Sequence, residues 1–135
     1  LPAVLIVDDD RTHRQILKMT LVRGGFSVRE LDSGRTALAA AKEQQPDLVL
    51  LDIVMPGMSG LEVCAQLKAD EITRALPVIM LTAVATPEHI QRALDAGAAD
   101  YILKPFDPER VLKAVRELCP PPEEASPQPG GQASA

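Results

Sequence analysis

Tryptophan is absent from this 135-residue chain, which carries one tyrosine and two phenylalanines. Hydrophobic residues make up 46% of it but aromatics only 2%, so a core must be built from Leu, Val, Ile and Ala. A surplus of basic residues is missing too. Fourteen Lys and Arg against nineteen Asp and Glu leave a net charge of −5. That argues against nucleic acid as a direct partner of this segment, because phosphate backbones are bound through clustered cations. No apolar run approaches the roughly 20 residues a membrane helix needs. No secretory leader is visible, so a cytoplasmic setting without membrane contact is expected. Cys64 and Cys119 have no metal-pair spacing and nothing calls for a bridge between them; the expectation is a reduced, buried Cys64 and a Cys119 near a helix end. The first residue is Leu1 rather than Met, as in an excised piece of something longer.

What is present is alternation. Ala3-Val4-Leu5-Ile6-Val7 forms an apolar strand that stops at Asp8-Asp9-Asp10. Arg11 to Arg23 has Ile16, Leu17, Thr20 and Leu21 at helical spacing, and Gly24-Gly25 ends it. Phe26 to Leu31 is a second strand. Ser33 is placed to cap a helix running to about Gln44, with Ala37, Leu38 and Ala41 inward. Leu48 to Leu51 is a third strand, stopping at Asp52. After the Pro56-Gly57 and Ser59-Gly60 loop, a third helix runs from Leu61 to about Ala69. Val78 to Leu81 is a fourth strand, ending at Thr82. Thr86-Pro87 opens a helix closing near Gly97. Tyr101 to Leu103 is a fifth strand, ending at Lys104-Pro105. Asp107-Pro108 opens the last helix, whose stripe is Val111, Leu112, Val115 and Leu118.

Five apolar strands alternating with five helices predict an α/β fold, a five-stranded parallel sheet with helices on both faces. This domain is expected over residues 1–119. From Pro120 to Ala135 a run rich in Pro, Glu, Ser, Gln and Gly offers too little apolar surface to fold and predicts a disordered tail or the start of a linker.

Open parallel sheets build their sites beyond the carboxyl ends of the strands. Those ends here carry Asp8, Asp9 and Asp10, then Asp52, Thr82 and Lys104. Carboxylates from two strands meet a hydroxyl and an ammonium from two others. Unit charges 4 Å apart interact by about 4 kcal/mol at an effective dielectric near 20. Grouped carboxylates therefore need cations; Lys104 is one, and a hard divalent ion with oxygen ligands is the natural second. Mg²⁺ keeps some of its waters for a phosphate, so the cluster suits a metal-bridged phosphoryl group.

Val7-Asp8-Asp9, Leu51-Asp52 with Met55-Pro56-Gly57 and Gly60, Leu81-Thr82-Ala83, and Tyr101-Ile102-Leu103-Lys104-Pro105-Phe106 together resemble the signature blocks of bacterial two-component receiver domains, from about Ala3 to Leu118. The resemblance implies a flavodoxin-like, doubly wound (βα)5 fold with strand order 2-1-3-4-5. It implies Asp52 as phosphoacceptor, Asp9 as a direct Mg²⁺ ligand, Asp8 holding the ion through water or hydrogen bonding, and the Val54 backbone carbonyl completing the set. Thr82 and Lys104 would contact the phosphoryl oxygens, Tyr101 would be the switch aromatic, and Lys104-Pro105 would be a cis bond. A histidine kinase or phosphotransfer protein would be the donor. The fourth helix, fifth strand and fifth helix would form the face that changes, for a homodimer, an effector or an output domain. Such a domain catalyses only its own phosphorylation and dephosphorylation and is no enzyme in the ordinary sense.

Blander roles compete. Asp10 suits a helix cap. His13 and His89 lack ligand spacing and suit surface or packing roles. Tyr101 would serve as a packed aromatic, and Met55 and Met80 as filler. A phosphohydrolase with an aspartyl-phosphate intermediate would want a second Asp where Val54 stands. A docking module that has lost phosphorylation would have no need of the complete side-chain set. Val54 and Val84 offer an attacking water no hydrogen bond and are expected to modify hydrolysis of the acyl phosphate.

Overall fold

The two-residue repeat of an apolar strand sends successive side chains to opposite faces, and in this chain both faces are covered. The computed structural model describes residues 1–119; the Pro-rich stretch expected to be a tail or linker lies outside the described residues. Strand β1 (Ala3–Val7) splits its side chains between two cores. Val4 and Ile6 point to one, Leu5 and Val7 to the other, all fully buried. The first core is closed by α1 (Arg11–Arg23) and α5 (Pro108–Leu118). The second is closed by α2 (Ala37–Gln44), α3 (Gly60–Ala69) and α4 (Pro87–Asp95). Each large aliphatic side chain buried this way contributes about 1.5–3 kcal/mol, so the scarcity of aromatics leaves the fold a sufficient core.

The remaining strands are β2 (Ser27–Leu31), β3 (Leu48–Leu51), β4 (Val78–Thr82) and β5 (Asp100–Leu103). All pairings are parallel, in the order β2-β1-β3-β4-β5. The expected architecture is therefore the observed one. The order reverses between β1 and β3, because the chain first winds outward to β2 and then crosses to β3. A crevice opens at such a switch point, outside the carboxyl ends of the two strands.

Local details differ from the sequence reading in three places. Ser33 caps a single 3-10 turn, Gly34–Thr36, through Arg35 N–H, and α2 begins only at Ala37. Gly34 is buried there, so close to α3 that a Cβ would lie 2.7 Å from Val63. Ile16, one of the four residues read at helical spacing, is exposed, because the buried face of α1 runs through Leu17 and Leu21. Leu118 is exposed on α5, where Ala114 fills the core instead. Asp10 does cap α1, accepting from His13 N–H at 3.1 Å. Both cysteines are free and buried.

Candidate functional site

The register of the sheet brings the polar strand ends together. Val7 pairs with Leu51, so the residues that follow them, Asp8 and Asp52, emerge side by side at the switch point. Thr82 ends β4 opposite Leu103, which places Lys104 directly above that edge. The Lys104 ammonium donates to Asp8 Oδ2 at 2.7 Å and to Asp52 Oδ2 at 3.0 Å. These three side chains are only 8%, 3% and 9% exposed. Burial pulls the Lys104 pKa down, but the hydrogen bonds and charges of Asp8 and Asp52 together outweigh it, and the net shift is upward. Lys104 therefore stays charged at neutral pH.

Asp8, Asp9 and Asp52 each present a carboxylate oxygen within 4.8 Å of the others. Asp9 is exposed, while the other two are buried. A donor set of hard oxygens, partly open to water, fits Mg²⁺. The opening is a hollow of about 290 Å³ lined by Asp9, Asp10, His13, Asp52, Val54, Thr82, Ala83 and Lys104.

Around this centre the backbone is closely fixed. Val54 N–H donates to Asp52 Oδ1 at 3.2 Å, while the Val54 side chain is 61% exposed at the rim. Gly60 N–H donates to Ile53 O at 2.8 Å, and a Cβ on Gly60 would sit 2.0 Å from the Asp52 carbonyl oxygen. Only glycine allows α3 to start so near the Asp52 strand end. Ser59 and Glu62 form a capping box at that start. Gly57, in the preceding loop, has φ of +85°, a left-handed value that glycine tolerates.

Thr82 is fully buried, and its hydroxyl accepts from Val84 N–H at 3.4 Å. The Tyr101 hydroxyl donates to Val84 O. Thr82 and Tyr101 are thus linked through one residue of the β4–α4 loop. Burial, and after it the negative charge of Asp52, pushes the Tyr101 phenol above its ordinary pKa, so it remains a donor. The Lys104-Pro105 peptide is cis.

Every side chain singled out at a strand end is thus brought to one rim. Two others, neither of them assigned to the site from the sequence, adjoin it. His13 lines the hollow, its ring edge-on to Phe106 with centroids 6.3 Å apart; its place in the first turn of α1, three residues past the Asp10 cap, was the available signal. Arg14 donates through Nη1 to the Asp8 carbonyl at 2.6 Å, and no motif marked it.

The family model described as "Response regulator receiver domain" matches residues 4–116. Among curated proteins, the DNA-binding response regulator MtrA of Mycobacterium tuberculosis is 42% identical over 113 residues, 84% of this chain and 48% of that protein. The phosphate regulon transcriptional regulatory protein PhoB of Pseudomonas aeruginosa is 40% identical over 132 residues, 95% of this chain and 58% of that protein. The chain spans about half the length of the curated relatives it matches. Among solved structures, the Vibrio cholerae chemotaxis protein CheY4 superposes with a TM-score of 0.83 at 34% identity, covering 87% of this chain and 98% of that one. Matched along nearly all of its described length, this chain belongs to the response regulator receiver domain family of two-component signal transduction.

Proposed function

We propose that Asp52 is the phosphoacceptor of this receiver and that a histidine kinase or phosphotransfer protein is its donor. The observation that carries the reading is the Asp52 carboxylate at the switch point, with Lys104 at 3.0 Å and two further carboxylates beside it. Asp8, Asp9 and Asp52, with the Val54 carbonyl, would hold Mg²⁺. The ion would supply charge neutralisation and a template for the phosphoryl oxygens.

The chain's own residues do the rest. An Asp52 carboxylate oxygen forms the new O–P bond in line as the N–P bond of a phosphohistidine breaks, and the departing imidazole takes up a proton. Alignment and electrostatics dominate such a transfer. Lys104, held charged by Asp8, neutralises the incoming group. The Thr82 hydroxyl then turns from Val84 N–H to a phosphoryl oxygen, which frees the β4–α4 loop and the Tyr101 ring bonded to it. Phosphorylation shifts the population toward the conformer in which these contacts are stronger.

The face that responds is α4-β5-α5. Leu94 and Leu103 are exposed apolar side chains there, suited to a homodimer or an effector. The longer relatives named as DNA-binding support an output that acts on DNA through another domain, not through this acidic segment. In this reading the chain is cytoplasmic and catalyses only its own phosphoryl transfer and dephosphorylation. Among the described residues no helix is long and apolar enough to cross a membrane.

The test is incubation with acetyl phosphate and Mg²⁺ followed by intact-mass measurement. One added phosphoryl mass that disappears in Asp52→Asn supports the assignment. A folded chain that gains no mass is a docking module instead. Multiple turnover of a generic phosphate ester would point to a phosphohydrolase.

A further inference from the structure

The turn after β1 presents two of the three carboxylates, yet nothing in its own sequence explains how it holds them together against their repulsion. Asp8 is fixed on its strand side by its N–H, which donates to Leu31 O of β2 at 3.1 Å. Its side chain also accepts from Asp10 N–H at 2.9 Å. The Asp8 carbonyl, on the helix side, accepts from Arg14 Nη1 at 2.6 Å. Arg14 Nε in turn lies 3.4 Å from Glu30 Oε1 on β2, and Lys18 Nζ lies 3.6 Å from the other Glu30 oxygen. The Arg14 side chain is 15% exposed, so this brace is largely shielded from solvent. Asp9 sits exposed between Asp8 and the Asp10 cap, and its carboxylate reaches the cluster through the backbone of that turn.

We infer that Arg14, anchored by Glu30, is a positioning residue for the cation site: by gripping the Asp8 carbonyl it sets the turn that aims Asp8 and Asp9 at a shared ion. This rests on the reading of Asp8, Asp9 and Asp52 as a Mg²⁺ site. A rigid guanidinium can serve two acceptors at fixed angles, which a lysine ammonium cannot reproduce. Outer partners that orient metal ligands commonly govern affinity by tenfold or more.

Charge and position make opposite predictions. Arg14 is a cation near a cation site, so an electrostatic role alone means that its removal tightens Mg²⁺ binding. A positioning role means that removal weakens it. Arg14→Lys keeps the charge and loses the fork, so electrostatics predicts no change and positioning predicts weakening.

The experiment titrates the full chain with MgCl₂ and follows backbone amide shifts, first for the parent, then for Arg14→Ala and Arg14→Lys. The dispersed spectrum itself reports folding. The half-saturating Mg²⁺ concentration should rise about tenfold in Arg14→Ala, with Arg14→Lys between it and the parent. With acetyl phosphate, the Mg²⁺ requirement should rise in the same order while the rate at saturating Mg²⁺ returns toward the parent's. Should Arg14→Ala fail to fold, Arg14→Lys decides alone. Parent-like or tighter Mg²⁺ binding in the folded variants overturns the inference and leaves the site intact. A parent that shows no Mg²⁺ response overturns the site reading and this inference with it.

Discussion

Lys104→Met keeps the length of the side chain and removes the cation that two buried carboxylates share. At an effective dielectric near 20, contacts of 2.7 and 3.0 Å correspond to attractions of about 5–6 kcal/mol each. Desolvation of the ammonium offsets much of that. Breaking a buried pair by deleting one partner leaves a net loss of about 3–5 kcal/mol. The repulsion between Asp8 and Asp52, whose oxygens lie within 4.8 Å, then goes unopposed. We expect a stability loss of about 3 kcal/mol by urea denaturation in EDTA at pH 7, with melting lowered by about 10 °C. Mg²⁺ should restore more stability to the variant than to the parent, because the ion then supplies the missing charge. High pH removes the same charge from the parent. Since folding raises the Lys104 pKa, its contribution is complete below the ordinary lysine value of 10.5 and is lost as pH rises through the higher folded value. The gap between parent and variant should stay flat from pH 7 to 9 and close only above about pH 10.5. A gap under 1 kcal/mol, or one that closes below pH 9, would refute the account of a buried three-charge cluster.

Two further substitutions probe the walls of the site. Gly60→Ala drives a Cβ to within 2.0 Å of the Asp52 carbonyl oxygen; we expect at least about 2 kcal/mol of destabilisation, and a melting temperature equal to the parent's would contradict the close approach. Val54→Asn with Val84→Glu gives an attacking water polar partners at the rim, so the lifetime of phosphorylated Asp52 should change; an unchanged decay of the added mass would dismiss any role of these side chains in hydrolysis.

The strands and their polar ends were legible because both signals are local: an apolar run defines the strand, and the residue after it projects from the edge. Given parallel strands, Asp8, Asp52, Thr82 and Lys104 had to share one rim. The inward face of α1 was less legible, since Ile16 and Leu17 are adjacent and equally apolar, and only the angle at which the helix meets the sheet chooses between them. The 3-10 turn after Ser33 lies where Gly34 passes close to Val63, 29 positions away in the chain, a contact that leaves no local mark. Arg14 was invisible for a related reason. Its partners are a backbone carbonyl six residues back and a carboxylate on another strand, and neither leaves a mark in a linear pattern.

The hydroxyl bond from Tyr101 to Val84 also has a practical use. With one tyrosine in the chain and no indole anywhere, near-ultraviolet absorbance and emission above the phenylalanine band originate at that ring alone. An unlabelled sample thus carries its own optical reporter, wired to the loop beside Asp52, and stopped-flow recording could time the rearrangement without attaching a dye.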